Sequence, residues 1–306
     1  MKKISRGIYR FILSPLIKII FPKRCVKSKF IVGSKIRYFM MTWKWLNYHN
    51  PKDINQKLFW LTRYWQNPLV IKCSDKYLVR DYIKECGCEE ILVPLYGVYD
   101  TADEINFDNL PNKFVLKVNH GCQYNILCKE KSLLDKEKTI KQLNKWLKTK
   151  IGDIGQCYYY DKIPPKIICE QYLEFSGISL IDYKLYCING NPQFFLVCYD
   201  RDKQHVIYSS YSLDWEKLLL FSHEGELEIP KPKYLTEMIK YALILSKPFP
   251  FVRVDFYYVN DKIYFGELTF SPNAHIDESF NKDSTLKLLG DKLILPEKLN
   301  SLCYFA

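Results

Sequence analysis

Two carboxylates near the C-terminus have the residue type and spacing of a divalent-metal site. Asp255 lies in the strand-like run V-R-V-D-F-Y and Glu267 in the run I-Y-F-G-E-L-T-F. Asn260-Asp261 lies between the two runs and predicts a turn that pairs them as a hairpin. Because side chains alternate across a strand, both carboxylates can face one cleft. Two oxygen ligands beside a cleft suit Mg²⁺ when substrate phosphates complete its shell, although two solvated strand carboxylates would have the same spacing.

A lysine at the end of an apolar strand is a second candidate. Phe114–Val118 has the pattern of a strand, and Lys117 is its one charged residue. An ammonium group on a half-buried strand needs an anionic partner, and a nucleotide phosphate is one such partner. His120-Gly121 follows, and a glycine lets backbone N–H groups approach phosphate oxygens. The chain contains neither a Walker A nor a G-x-G-x-x-G sequence, which excludes those two types of nucleotide site.

Two further positions can assist a nucleotide. Glu170-Gln171-Tyr172-Leu173 follows a short apolar run and can offer backbone groups to an adenine edge, although an ordinary strand exit has the same pattern. Arg253 precedes Asp255 by two residues, so it shares that strand face and can reach a phosphate, a substrate carboxylate or Asp255 itself. Three histidines are candidates for binding an amine or a carboxylate, or are ordinary structural residues: His120, His205 and His275.

The elements that must position these residues are helices first, then mixed strands and helices, and then antiparallel hairpins. Helices are predicted from Pro51-Lys52-Asp53 onward and over residues 76–85, 131–149 and 233–246. Strands are predicted over residues 91–95, 114–118, 166–169, 182–188, 192–199, 251–259 and 262–268. Asn189-Gly190 marks a hairpin between two of them. Helices followed by antiparallel hairpins indicate an α+β fold and not a doubly wound parallel sheet.

Charge divides the chain into two parts. The 306 residues include 45 basic and 34 acidic side chains; the first 50 hold twelve of the basic ones and none of the acidic ones. The remainder therefore carries 33 basic against 34 acidic residues. We predict a basic amphipathic arm over residues 1–50 and a catalytic region over residues 51–306. Such an arm fits an anionic membrane or polymer better than nucleic acid, for which a basic folded surface is more typical.

Residues 11–21 (FILSPLIKIIF) form an apolar run with cationic flanks. The run is too short to cross a bilayer, and no small-residue cleavage site follows it. It fits an interfacial anchor, or alternatively an amphipathic helix packed on the protein itself. The eleven cysteines contain no C-x-x-C pair and no disulfide-like spacing, so they are expected to be reduced.

Several motifs in this order resemble the TupA-like ATP-grasp family, which is associated with teichuronopeptide and other surface polysaccharides. The resemblance covers roughly residues 50–280. It is carried by the following stretches: N-P-K-D-I-N-Q-K-L-F-W-L, S-D-K-Y-L-V-R-D-Y-I, L-P-N-K-F-V-L-K-V-N-H-G, D-Y-K-L-Y-C, R-V-D-F-Y and G-E-L-T-F-S-P.

The resemblance implies an ATP-grasp fold in which two α+β lobes enclose ATP and Mg²⁺. Asp255 and Glu267 would hold the metal. Many ATP-grasp enzymes have an asparagine two residues after the last glutamate; here that position is Thr269, so Asn273 becomes the candidate third ligand. The resemblance also implies a set of nucleotide-binding residues: Lys76, Lys117, Glu170, Gln171, Leu173 and Lys184. Of these, Glu170, Gln171 and Leu173 would line the adenine pocket, mostly through their backbone.

The activity implied is that of an ATP-dependent carboxylate–amine ligase acting through an acylphosphate, with Lys117 and Arg253 as catalytic charges. The expected partners are an amino acid or amine and a bacterial surface polysaccharide or its lipid-linked precursor. The expected location is cytoplasmic, with residues 1–30 on an anionic membrane surface. Two alternatives stay open. One is a glycosyltransferase, for which Asp200-Arg201-Asp202 has the D-x-D form, and the other is a degenerate nucleotide-binding scaffold.

Overall fold

The computed structural model describes residues 26–174, 180–199, 207–221, 225, 228–277, 280, 283–299 and 304–305, without the side chains of residues 153 and 154. Three features singled out in the sequence lie outside these residues: the apolar run 11–21, His205 and Asp200-Arg201-Asp202.

Eight α-helices and ten strands form the described part of the chain. The helices are α1 Val26–Thr42, α2 Ile54–Tyr64, α3 Pro68–Ser74, α4 Val79–Glu85, α5 Lys136–Leu147, α6 Gly152–Gly155, α7 Leu235–Ser246 and α8 Asp283–Lys292. The strands are β1 Leu95–Tyr99, β2 Phe114–Val118, β3 Asn125–Cys128, β4 Ile167–Gln171, β5 Asp182–Ile188, β6 Asn191–Tyr199, β7 Ile207–Tyr211, β8 Lys217–Leu218, β9 Phe251–Val259 and β10 Lys262–Thr269. Among the described helices, none has the length and apolar character needed to span a bilayer.

The strands form two antiparallel sheets. The smaller has four strands in the order β1-β4-β2-β3, and the larger has six in the order β10-β9-β5-β6-β7-β8. Helix α5 packs on the small sheet, and α7 packs on strands β5, β6 and β9 of the large one. The prediction of an α+β fold with two lobes is confirmed.

The hairpin predictions are also confirmed. Asn189 and Gly190 have positive φ and join β5 to β6, and Asn260 and Asp261 have positive φ and join β9 to β10. These short turns accept positive φ because Asn, Asp and Gly adopt it at low cost.

The strand predicted over residues 91–95 is wrong. Glu89–Ile91 is a 3₁₀ turn, and β1 begins only at Leu95. Pro94 has no N–H to donate; its carbonyl accepts from the Gln171 N–H at 2.9 Å, so the ladder starts beside it. Strand β3 is absent from the predicted strands, because its four residues have weak strand character on their own and depend on pairing with β2.

Helix α1 belongs to the folded body. Its inward face is buried, and Phe30 is fully inaccessible, with its ring centroid 6.5 Å from that of Phe59 and 5.1 Å from that of Phe305. Tyr38 is also buried and donates a hydrogen bond to Asp53, the N-cap of α2. The predicted boundary at residue 50 therefore does not separate an arm from the body in the described region, because aromatic burial joins α1 to α2.

His275 is a buried structural residue outside the nucleotide motifs. Its ring stacks on Phe59 with centroids 4.3 Å apart, and its Nε2 lies 2.8 Å from Thr62 Oγ1. Its Nδ1 lies 3.2 Å from the Gly155 carbonyl oxygen. Burial, together with the nearby Arg37, lowers the pKa of His275 to about 3. The expectation that His275 binds a substrate amine or carboxylate is not supported by this position.

We expect His275 to make stability fall in acid. Its pKa is depressed from 6.5 in the unfolded chain to about 3 in the fold, so between these values the unfolded state binds the extra proton. The contribution of neutral His275 to the free energy of unfolding is complete above pH 6.5. It is lost as the pH falls toward 3, by up to about 1.4 kcal/mol per pH unit. Urea unfolding should show the stability gap between wild type and His275→Asn shrinking below pH 6.5. The exposed His49→Asn serves as the control; an unchanged gap for His275→Asn would contradict the prediction.

Candidate active site

A cavity of about 430 Å³ lies between the two sheets. The small sheet and its β2–β3 loop form one wall, and strands β5, β7, β9 and β10 form the other. Its charged lining residues are Lys76, Arg80, Lys117, Glu170, Lys184, Asp255 and Glu267. Its apolar and aromatic lining residues are Val79, Leu92, Val93, Tyr124, Tyr208, Tyr257 and Phe265. Six of the residues singled out in the sequence therefore meet in one cavity.

A bulge in the last hairpin brings the two candidate metal ligands together. From Lys262 to Phe265 the β9–β10 register is regular; it then shifts by one residue, so that Glu267 lies opposite Asp255. Gly266 occupies the bulge, where an added Cβ would lie 3.0 Å from the Asp255 carbonyl oxygen. Without the shift, Glu267 would pair with Val254 and point to the opposite face. The predicted facing of the two carboxylates thus depends on this glycine.

Arg253 bridges the two carboxylates. Its Nε and Nη2 donate to Asp255 Oδ1 and Oδ2, both at 2.7 Å, and Nη2 also donates to Glu267 Oε1 at 3.2 Å. Thr269 Oγ1 lies 3.1 Å from Nη2 and donates to Glu267 Oε1 at 2.9 Å. Burial alone would raise the pKa of Glu267, but Arg253, Lys76 and Lys184 outweigh it and lower that pKa to about 2. Glu267 is therefore ionised at neutral pH.

Lys184 lies beside Asp255 on the neighbouring strand. The two residues are direct cross-strand partners of β5 and β9, and Lys184 Nζ donates to Asp255 Oδ2 at 2.7 Å. A second carboxylate oxygen, Asp182 Oδ2, lies 3.5 Å away. Burial pulls the pKa of Lys184 down, but the two carboxylates raise it on balance above its ordinary value. Lys184 is therefore a fixed cation at the large-sheet wall.

Lys117 lies on the opposite wall and is paired with Glu170. Its Nζ donates to Glu170 Oε2 at 2.7 Å, and Arg80 Nη1 donates to Glu170 Oε1 at 3.3 Å. Register explains the pair: Val115 of β2 is opposite Glu170 of β4, which places Lys117 two residues further along the same face. Glu170 thus acts through its carboxylate on two cations, in addition to any backbone role near adenine.

Lys76 is held at the cavity by a network around Asp75. The Lys76 N–H donates to the Asn119 carbonyl oxygen at 3.0 Å, and the Asn119 side chain donates to Asp75 Oδ1 at 2.9 Å. Asp75 Oδ1 also accepts from the Tyr77 N–H at 2.8 Å. The Lys76 ammonium donates to the Gly121 carbonyl oxygen at 2.6 Å, and burial lowers its pKa. These bonds fix a lysine that a polyanion would keep charged.

The β2–β3 loop needs its glycine. Gly121 has φ of +85°, and an added Cβ would lie 2.9 Å from the Tyr124 ring. Residues 122–124 of this loop, with Asn125 at the start of β3, line the cavity beside Lys76 and Lys117. The loop therefore borders the site through one glycine with a left-handed backbone. His120 precedes this glycine but is buried, with its Nε2 3.0 Å from the Thr149 carbonyl oxygen, so it does not line the cavity.

Four predicted site residues lie outside the cavity lining: Arg253, which contacts Asp255 and Glu267 as described above, and Gln171, Leu173 and Asn273. The Gln171 side chain faces a separate surface depression, since it alternates with Glu170 along β4. Leu173 is half-buried just beyond β4. Asn273 is exposed, has φ of +47°, and donates from its side chain to Asp277 Oδ1 at 2.9 Å. Its role as third metal ligand stays a prediction without geometric support.

The residues present fit Mg²⁺ and a nucleoside triphosphate. Asp255 and Glu267 offer hard oxygens side by side, as Mg²⁺ requires when phosphates supply its other ligands. In the described part of the chain no group of three or more His, Cys, Asp or Glu side chains could hold a metal ion. The cations of both walls point into the same space, and an apolar wall formed by Leu92 and Val93 can accept a base.

Sequence reasoning missed part of the lining. Arg80 follows Lys76 by four residues, and that helical spacing could have indicated a shared face. Leu92 and Val93 were assigned to a strand. Tyr208 lies on β7, which the sequence did not predict, and only the sheet order brings it to the cavity.

The family is established by sequence comparison. Residues 56–294 match the family described as TupA-like ATPgrasp. The chain belongs to this family, and its predicted ATP-grasp fold is confirmed. A search of curated protein sequences found no significant match.

Solved structures that resemble the chain do so at low identity. A D-alanine–D-alanine ligase from Bacillus anthracis complexed with ATP has TM-score 0.45 and 18% identity, over 72% of this chain and 65% of that one. The Helicobacter pylori D-alanine–D-alanine ligase has TM-score 0.42 and 17% identity, over 72% of this chain and 61% of that one. An L-amino acid ligase from Bacillus licheniformis has TM-score 0.43 and 13% identity, over 74% of this chain and 49% of that one. The chain thus spans less than two thirds of the length of each of these three structures.

Proposed function

We propose that the chain is an ATP-dependent carboxylate–amine ligase that acts through an acylphosphate. The observation that carries the proposal is the convergence of Lys76, Lys117 and Lys184 on the Asp255–Glu267 pair in one cavity. Membership of the TupA-like ATP-grasp family supports it. Fixed cations opposite a carboxylate pair are what phosphoryl transfer needs, because charge on the transferring group must be stabilised by groups already in place.

The proposed reaction has two steps. A substrate carboxylate oxygen attacks the γ-phosphorus, the bond to the β,γ-bridging oxygen breaks, and ADP leaves. An amine nitrogen then attacks the acyl carbon, phosphate leaves, and the amine releases a proton to solvent. Lys117 and Lys76 bind phosphate oxygens, and Lys184 and Arg253 orient Asp255 and Glu267. When bound to those carboxylates, Mg²⁺ would neutralise charge on the phosphates.

We propose a surface polysaccharide or its lipid-linked precursor as one partner and an amino acid or amine as the other. The basic excess of residues 1–50 supports a polyanionic acceptor or an anionic surface nearby. Because ATP is the phosphoryl donor, the reaction belongs on the cytoplasmic side, with the enzyme peripheral to the inner membrane face. The test is release of ADP and phosphate with candidate glycan and amine pairs, with amide formation followed by mass spectrometry.

Lys117→Met should weaken ATP binding by about 10- to 100-fold, the loss expected for a charge-assisted hydrogen bond. Glu170 keeps Arg80 as a partner, so the fold should survive. The matched control is Lys136→Met, which breaks an exposed pair with Asp108 in the same lobe and should leave binding unchanged. Titration of a fluorescent ATP analogue measures both. Equal affinities for the two variants would remove Lys117 from the phosphate site.

A degenerate nucleotide-binding scaffold is the second candidate. It is favoured by Thr269, whose hydroxyl lies within the carboxylate–Arg253 cluster at a position where many ATP-grasp enzymes have an asparagine. A scaffold would bind ATP but would not release ADP in the presence of any candidate acceptor, whereas the ligase releases ADP once the carboxylate substrate is present.

A further inference from the structure

The outer face of α1 carries apolar residues that belong to none of the core clusters formed by the described residues. Val32, Ile36, Phe39 and Trp43 recur at helical spacing, opposite the buried face that contains Phe30. Within the described residues, none of the three apolar core clusters includes any of these four side chains. Val32, Ile36 and Phe39 are half-buried and Trp43 is exposed, so this stripe is not part of the core formed by the described residues.

Two tryptophans extend the stripe beyond the end of α1. Trp43 is 68% exposed and Trp45 is 67% exposed. Trp43 has φ of +57°, which ends the helix and turns the chain. Phe39 stacks on Trp45 with ring centroids 4.5 Å apart and meets Trp43 edge-on at 5.7 Å. We call Val32, Ile36, Phe39, Trp43 and Trp45 the aromatic surface. A stacked surface cluster of this kind marks an interaction site.

The charge around the aromatic surface is positive. Lys27, Lys35 and Lys44 are exposed on α1 and the turn after it, and one of them, Lys44, is paired with Asp283. The first 50 residues contain twelve basic and no acidic side chains. Tryptophan rings beside lysines are the combination that favours the headgroup region of an anionic bilayer, since the ring enters the interface while ammonium groups meet lipid phosphates.

We propose that the aromatic surface docks on an anionic lipid bilayer, with Trp43 and Trp45 inserted at headgroup depth. Charge complementarity favours lipid over a second copy of the chain, because two copies would bring their basic surfaces together. The inference goes beyond the ligase reaction. It gives the enzyme a defined orientation toward an acceptor at the membrane.

The experiment uses the full chain and two vesicle types, pure phosphatidylcholine and phosphatidylcholine mixed with phosphatidylglycerol. Wild type should bind only the mixed vesicles, and its tryptophan emission should shift to the blue. Trp43→Ser/Trp45→Ser should bind at least about tenfold more weakly, since two rings lose their apolar contact. Raising the salt from about 0.1 M to about 1 M shortens the Debye length from about 10 Å to about 3 Å and should release the wild type.

Leu133→Ser is the matched control, because Leu133 is 79% exposed on the small-sheet lobe; it should bind like the wild type. ATP affinity in solution should be equal in all three proteins, which separates this inference from the ligase proposal. Equal vesicle binding by wild type and the tryptophan variant would overturn the inference. Failure of the wild type to bind either vesicle type would also overturn it. Sedimentation would then show either a dimer that the tryptophan variant abolishes, which would assign the aromatic surface to a second copy of the chain, or a monomer in both proteins.

Discussion

Replacing Glu267 by glutamine is expected to reduce Mg²⁺-dependent ATP turnover by about 10²–10³-fold, the loss typical of removing one preorganised charge contact at a phosphoryl centre. The amide keeps the size of the side chain and can still bond Thr269 Oγ1, which lies 2.9 Å from Glu267 Oε1 in the wild type. It removes the negative charge that Mg²⁺ requires. The loss should therefore appear in metal affinity and in turnover, and hardly in folding.

The measurement is ADP release as a function of Mg²⁺ concentration. Glu85→Gln is the matched control, since Glu85 also accepts from a lysine, Lys72 at 2.7 Å, but on the exposed surface. It should titrate with Mg²⁺ like the wild type. If Glu267→Gln and Glu85→Gln show the same Mg²⁺ dependence as wild type, the metal assignment is wrong.

The second large effect is expected at Arg253, where lysine should not substitute for arginine. Arg253 donates to both oxygens of Asp255 and to Glu267 Oε1. A lysine keeps the charge but lacks the planar fork, so it cannot hold two carboxylates in one plane. We expect Arg253→Lys to lower turnover by about 10²-fold, because the carboxylates lose their alignment toward the metal. Arg253→Met should also lower the free energy of unfolding, since among the described residues it leaves the buried Asp255 carboxylate bonded to the Lys184 cation only.

ADP release and urea unfolding together separate these effects. Arg63→Lys is the control for losing a guanidinium, because Arg63 lies over the rings of Tyr48 and Tyr64 and outside the cavity lining. It should alter stability without changing turnover per folded enzyme. Full turnover in Arg253→Lys would sink the proposed orienting role, and so would a turnover loss that only follows the loss of folded protein.

The aromatic surface and the cavity have separate physical origins. The cavity depends on charged side chains that each of the two sheets brings to the space between them, whereas the aromatic surface depends on a helix whose apolar residues recur on two faces. A sequence with apolar residues on both sides of α1 has a weak amphipathic pattern, and so it does not reveal which face is buried. Packing of Phe30 against α2 decides that question, and it leaves Phe39 and Trp43 outward.

The sequence by itself determined the α+β class, both hairpin turns and the family. Asn189-Gly190 and Asn260-Asp261 are local signals, because a tight turn with positive φ depends on its own two residues. Motif order carried the family, and six of the residues chosen from those motifs line one cavity. Short segments without a local signal were missed: β3, β7 and β8 are stabilised as strands by their neighbours, and β1 was displaced by Pro94.

Tertiary structure decided how the charges are paired. The sequence left a phosphate, a substrate carboxylate and Asp255 as possible partners of Arg253, and in the fold Arg253 donates hydrogen bonds to Asp255 and Glu267. Glu170 was expected to act mainly through its backbone, yet strand register sets its carboxylate against Lys117. Above all, the facing of Asp255 and Glu267 rests on the one-residue shift at Gly266. Because side chains alternate with a period of two residues, such a shift is decisive: it moves Glu267 from the far face of the sheet to the face that carries Asp255.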